Sequence, residues 1–114
     1  MNFIVEKPWG SFEILNSGKK FLVKRIFVKS GGVLSLQSHQ HRSEHWIVAE
    51  GIAEITIDNN ISILEENENI FIPQGAVHRI ANKTDKDLVI IEMWYGETLD
   101  ENDIKRYDDI YKRV

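Results

Sequence analysis

Apolar residues along this chain come in short runs separated by turn residues, and within several runs they alternate with polar ones. Ala53-Glu-Ile-Thr-Ile57 is the cleanest case: Ala53, Ile55 and Ile57 share one face and Glu54 and Thr56 the other, the period of a strand with one face in water. Similar runs rich in Val, Ile and Phe predict strands over 11–15, 21–29, 33–39, 44–50, 53–58, 61–64, 69–72, 78–82 and 88–94. Between them stand Asn16-Ser-Gly18, Gly31-Gly32, Glu50-Gly51, Asp58-Asn-Asn60 and Pro73-Gln-Gly75, residue types that favour tight turns. So many short strands in one short chain predict an all-β sandwich or barrel.

The pattern changes near the C-terminus. Thr98 followed by Glu101 has the spacing of a capping box, and Asp100 and Asp103 place negative charge where a helix would begin. Ile104, Tyr107, Ile110, Tyr111 and Val114 then recur at helical spacing, with Lys112 and Arg113 at the end. A C-terminal α-helix packed on the sheets is predicted.

Composition narrows the picture. The 114 residues make room for one domain, taken as 1–114, and neither a linker nor a repeat divides them. With no Cys the chain can build no disulfide, thiolate zinc site or cysteine nucleophile. Lys and Arg number 14 against 18 Asp and Glu, so no concentrated basic face for nucleic acid is expected. The longest apolar runs, such as Leu88-Val-Ile-Ile91, fall far short of the ~20 residues that span a bilayer. No membrane partner is expected. The opening residues lack the basic and apolar regions of a secretory signal, so the cytoplasm is the expected compartment.

The chemistry gathers in the middle. Of four His, three (His39, His41 and His45) fall within seven residues, beside Glu44. In an extended strand Gln37 and His39 share a face, and after a turn Glu44 shares one with Trp46 and Val48. His78, just past the Pro73-Gln-Gly75 turn, can bring a fourth group from a distant strand. Two imidazoles, a carboxylate and an amide oxygen suit one borderline divalent metal with positions left for water or substrate.

These residues carry a resemblance. Gly31-x5-Gln37-x-His39-x4-Glu44-x6-Gly51 resembles the first motif of the cupin superfamily, with Gln where His is commonest. Pro73-x-Gly75-x2-His78-x3-Asn82 resembles the core of the second. Lys7-Pro-Trp-Gly-Ser-Phe-Glu13, Val23-Lys-Arg-Ile26, Leu34-Ser-Leu-Gln37, His41-Arg-Ser-Glu-His-Trp-Ile-Val48 and Asp103-Ile-Lys-Arg106 extend the likeness along nearly the whole chain. They are similar to the C-terminal isomerase domain of bifunctional mannose-1-phosphate guanylyltransferase/mannose-6-phosphate isomerase enzymes. The resemblance implies a cupin-type jelly-roll β-barrel with Gln37, His39, Glu44 and His78 around one divalent ion, zinc first and Mn, Fe, Co or Ni as alternatives.

It also implies a sugar-phosphate partner and aldose–ketose isomerisation of mannose 6-phosphate and fructose 6-phosphate. Such a reaction moves a proton between carbons 2 and 1, so a base must stand within ~3 Å of it. His41, between the ligand strands, is the first candidate base. Arg42 shares the parity of Glu44 and is the candidate to hold phosphate or assist proton transfer. Lys24 and Arg79 are the further substrate-binding candidates, while His45 alternates outward. Two other classes stay open: a sugar-binding cupin without catalysis, and an Fe(II) oxygenase built on two His and a carboxylate. Exposed strand edges and an apolar outer sheet face lead us to expect a homodimer.

Overall fold

A computed structural model describes residues 3–112 of the chain. It contains eleven strands: β1 (Ile4–Lys7), β2 (Gly10–Ser17), β3 (Phe21–Val28), β4 (Leu36–Ser38), β5 (Ser43–Glu50), β6 (Ala53–Ile57), β7 (Asn60–Leu64), β8 (Asn69–Ile72), β9 (His78–Ala81), β10 (Leu88–Tyr95) and β11 (Lys105–Asp108). They form a six-stranded sheet in the order β1-β2-β3-β10-β5-β8 and a five-stranded sheet in the order β11-β4-β9-β6-β7. Every named pairing is antiparallel. No helix long and apolar enough to cross a membrane is present among the described residues.

The expected closed barrel is corrected to two sheets that do not join through strand pairing among the described residues. The physical reason lies where the chain changes sheet. It passes from β5 to β6 at Gly51 (φ 87°), from β7 to β8 at Asn67 (φ 71°) and from β8 to β9 at Gly75 (φ 86°). A left-handed residue turns the backbone sharply out of the ladder at these three of the seven crossings between the sheets. Gly51 is also closely confined: a Cβ there would sit 2.5 Å from the Asp87 carbonyl oxygen.

The expected C-terminal helix is also absent among the described residues. Asp100 caps a local turn instead, its carboxylate accepting the Asn102 amide at 2.9 Å and its carbonyl the Asp103 amide at 3.0 Å. Asp103 commits its carboxylate to the backbone of another segment, and residues 105–108 pair with β4, with a register shift between Arg106 and Asp108. Pairing with the free edge of β4 satisfies backbone groups on both strands, whereas a single short helix is marginal on its own. Arg113 and Val114, the last positions of the expected helix, lie outside the described residues.

The inward stripe of the large sheet positions the site. Ile26 and Val28 of β3, Trp46 and Val48 of β5, and Leu88 and Ile90 of β10 point into the core with Ile55 and Ile80 from the other sheet. Full burial of each aliphatic side chain contributes about 1.5–3 kcal/mol. The same inward parity then turns polar at one end, where Lys24, Glu44 and Glu92 are all buried. Lys24 pairs in register with Glu92, and Glu92 with Trp46. The core seals one end of the sandwich and supports chemistry at the other.

Candidate functional site

Three strand ends deliver the central residues. His39 follows the short β4, Glu44 is the second residue of β5 and His78 opens β9, which pairs with β4 at Gln37. The loop between His39 and Glu44 is fixed from outside by Asp103, whose carboxylate accepts the Gln40 and His41 amides at 2.9 and 2.8 Å. Gly75 donates its amide to the His39 carbonyl at 2.9 Å, tying the β8–β9 turn to the same loop.

His39, Glu44 and His78 are buried, and one potential ligand atom from each lies within 4.8 Å of the others. His39 Nε2 is 3.2 Å from Glu44 Oε2, and His78 Nε2 is 3.9 Å from Glu44 Oε1. Each ring is oriented by a backbone carbonyl: His39 Nδ1 donates to Asp103 O at 2.6 Å and His78 Nδ1 to Ala76 O at 2.9 Å. A carbonyl can only accept, so both Nδ1 atoms carry the proton and both Nε2 atoms present lone pairs. Burial, reinforced by the neighbouring Arg42 guanidinium, lowers His39 to about 4, and burial likewise lowers His78. Two neutral imidazoles and a carboxylate aimed at one point, each imidazole oriented through its far nitrogen, form a donor set that can hold a metal ion. The residues present fit the group.

Around this cluster lies a polar wall. Arg42 donates from Nε to Glu44 Oε2 at 2.8 Å and from Nη2 to His39 Nε2 at 3.2 Å, its guanidinium stacked 3.4 Å above the Trp94 ring. Glu92 accepts from two indoles, Trp46 Nε1 at 2.9 Å and Trp94 Nε1 at 2.8 Å. Burial first, and Glu44 second, push its carboxyl up to about 8. Lys24 lies between the Phe12 and Trp94 rings, 4.0 and 3.9 Å from their centroids, and pairs with Glu101 at 2.8 Å. All of these groups except Trp46 line a cavity of about 280 Å³ with Gln37, His39 and Glu44. His78, only 1 % exposed, stands behind His39 and Glu44.

The structure therefore brings Gln37, His39, Glu44, Arg42 and Lys24 to one cavity, with His78 against it. It turns two expected residues elsewhere. His41 is exposed and lines a separate recess with Ser43, Gln74 and Tyr95. Arg79 donates from Nε to the Leu34 carbonyl at 3.0 Å and pairs with the Asp108 carboxylate at 3.1 Å, away from the cavity. His45 faces outward, its ring 4.8 Å from that of Phe71. Sequence reasoning missed Glu92, Trp94, Lys7 and Arg106. A signal existed for the first: Glu92 holds the parity of Leu88 and Ile90 in an apolar strand, and a charge on a core face is the informative exception.

Comparison with known proteins follows this geometry. A family model described as mannose-6-phosphate isomerase C-terminal matches residues 1–109. The chain is 50 % identical over 109 residues to the alginate biosynthesis protein AlgA of Pseudomonas syringae pv. tomato, covering 96 % of this chain and 23 % of that protein. It is 46 % identical over 110 residues to the mannose-1-phosphate guanylyltransferase of Escherichia coli (strain K12), again covering 96 % and 23 %. The chain thus spans about a quarter of the length of these curated relatives. Among solved structures, an RmlC-like cupin from Shewanella frigidimarina NCIMB 400 superposes with a TM-score of 0.74 at 17 % identity, over 83 % of this chain and 84 % of that one. The capsular polysaccharide assembling protein CapF from Staphylococcus aureus gives 0.78 at 23 %, over 96 % and 35 %. These two likenesses concern the fold alone, and the first gives it as cupin-like.

Proposed function

The chain belongs to the mannose-6-phosphate isomerase C-terminal family, and from that premise we propose that it is a metal-dependent aldose–ketose isomerase interconverting mannose 6-phosphate and fructose 6-phosphate. The observation that carries the proposal is the meeting of His39, Glu44 and His78 at a cavity whose wall holds a second buried carboxyl, Glu92. His39, Glu44 and His78 would hold one divalent ion, zinc first, with Gln37 the fourth candidate ligand on the same cavity wall. The ion, when bound, would act as a Lewis acid toward the oxygens on carbons 1 and 2.

The remaining work falls to side chains of this chain. Glu92 is the group we assign to move the proton between carbons 2 and 1, since His41 does not line the cavity. The two indoles that donate to Glu92 hold its carboxyl in one orientation against the cavity. Arg42, stacked on Trp94, presents a fixed positive charge where the enediolate would form. Lys24 and Glu101 form an ion pair on the cavity wall, where they would orient sugar hydroxyls.

The test is a coupled isomerase assay on protein loaded with a divalent ion, run beside elemental analysis. Conversion of mannose 6-phosphate that follows metal content supports the proposal. Binding of the sugar phosphate without conversion supports a sugar-binding cupin in its place.

A further inference from the structure

We propose that Lys7 and Arg106 form the phosphate subsite of the cavity, gripping the phosphate monoester of the sugar substrate. The identity of the sugar rests on the isomerase reading; the anion site rests on the charges themselves. Four cationic side chains line the cavity: Lys7, Lys24, Arg42 and Arg106. Arg42 is engaged by Glu44 at 2.8 Å and Lys24 by Glu101 at 2.8 Å. Neither of the other two makes an ion pair among the described residues.

Arg106 is the more telling of the two. It lies in β11, which reaches the cavity only because residues 105–108 form a strand against β4, and it pairs there with Gln37. Its Nε atom is buried with no hydrogen-bond partner. A buried guanidinium N–H left unpaired is costly, and the guanidinium is built to engage a phosphate through two parallel N–H···O bonds. Lys7 comes from the edge strand of the opposite sheet, its ammonium held 5.8 Å over the Phe12 ring. A point charge and a planar fork, one from each sheet, suit a tetrahedral dianion better than a flat carboxylate. A phosphate held there would leave the sugar in the remainder of the same cavity that His39 and Glu44 line.

The test is calorimetric titration with mannose 6-phosphate, mannose and inorganic phosphate, on wild-type protein, Arg106→Gln, Arg106→Lys, Lys7→Met and Lys105→Gln. Lys105 neighbours Arg106 in β11 but is exposed and lies outside the cavity, so it controls for lost charge alone. Arg106→Gln and Lys7→Met should each weaken binding of mannose 6-phosphate and phosphate by at least about tenfold, as for lost charge-assisted hydrogen bonds. Affinity for mannose should not change, and Arg106→Lys should recover part of the loss. Should Arg106→Gln fail to fold, Lys7→Met and Arg106→Lys carry the comparison.

Phosphate affinities within about twofold of wild type in Lys7→Met and the Arg106 variants would overturn the subsite, as would an equal loss in Lys105→Gln or a wild type that binds neither phosphate nor mannose 6-phosphate. The two proposals fail differently. Binding that depends on Arg106, without turnover, removes the isomerase and leaves the subsite standing. Turnover with KM unchanged in Arg106→Gln and Lys7→Met does the reverse.

Discussion

The Nε2 atoms of His39 and His78 face one another at 3.1 Å, each ring turned by a backbone carbonyl so that a lone pair, not a proton, points inward. Two lone pairs at that distance repel unless a cation lies between or beside them. His78→Ala should therefore lower affinity for Zn²⁺ by more than the 10–100-fold typical of losing a group that merely orients a ligand. Elemental analysis after dialysis, with a melting curve to show that the sandwich still folds, is the check. Full metal retention would remove His78 from the ligand set.

Arg42 occupies the position of a resident cation, bonded to both Glu44 and His39. A metal drawing on those same atoms must displace its hydrogen bonds. Arg42→Met should thus move two quantities in opposite directions. The metal-free protein should lose about 3–5 kcal/mol, because Glu44 is left buried without its partner. Zn²⁺ affinity should rise, and added metal should restore the melting temperature. A variant in which metal binding weakens would show that Arg42 assists the ion instead of competing with it.

Asp103 supports the site from outside with three acceptors: its carbonyl orients His39 and its two carboxylate oxygens hold the Gln40 and His41 amides. Asn at this position keeps only one of the two side-chain acceptors. Asp103→Asn should cost about 1 kcal/mol of stability and lower metal affinity by roughly 10–100-fold. Denaturant melts and metal titration read the two effects separately. Unchanged metal affinity would mean that the loop needs no such anchor.

Glu92 tests the proton-transfer assignment. Both of its oxygens accept indole N–H groups, and Trp46 Nε1 also donates to Glu44 Oε1 at 3.0 Å, so a glutamine that keeps its oxygen toward Trp94 leaves neither indole unpaired. Glu92→Gln should cost about 1 kcal/mol of stability for the one hydrogen bond lost and lower kcat by roughly 10²–10⁴-fold with metal content unchanged. His41→Ala is the companion measurement. A large loss there with little in Glu92→Gln would return the base to His41.

Much of the arrangement is legible in the order of the residues. Alternation locates most of the strands, and the parity of Gln37, His39 and Glu44 puts them on faces that do converge. What alternation cannot see is competition for a free strand edge. Ile104, Tyr107 and Tyr111 fit a helix face as well as they fit a sheet edge, and only the empty side of β4 decides between them. That single misreading conceals Arg106, which reaches the cavity through strand pairing. Alternation from His78 already turns Arg79 to the opposite face of β9; His41 escapes for another reason. Parity says which face a side chain takes but not where a loop ends, and His41 lies in an exposed loop whose amide is held by Asp103.

The activity proposed for the residues gathered at this cavity is isomerisation of a sugar phosphate with the help of a divalent ion. The most direct measurement follows fructose 6-phosphate formed from mannose 6-phosphate by the protein before metal chelation, after chelation, and after reloading with Zn²⁺, Mn²⁺, Co²⁺ or Fe²⁺ in turn. Turnover should vanish on chelation, return with at least one of these ions and be absent in His78→Ala. No turnover with any of them, while mannose 6-phosphate still binds, would contradict the proposed activity.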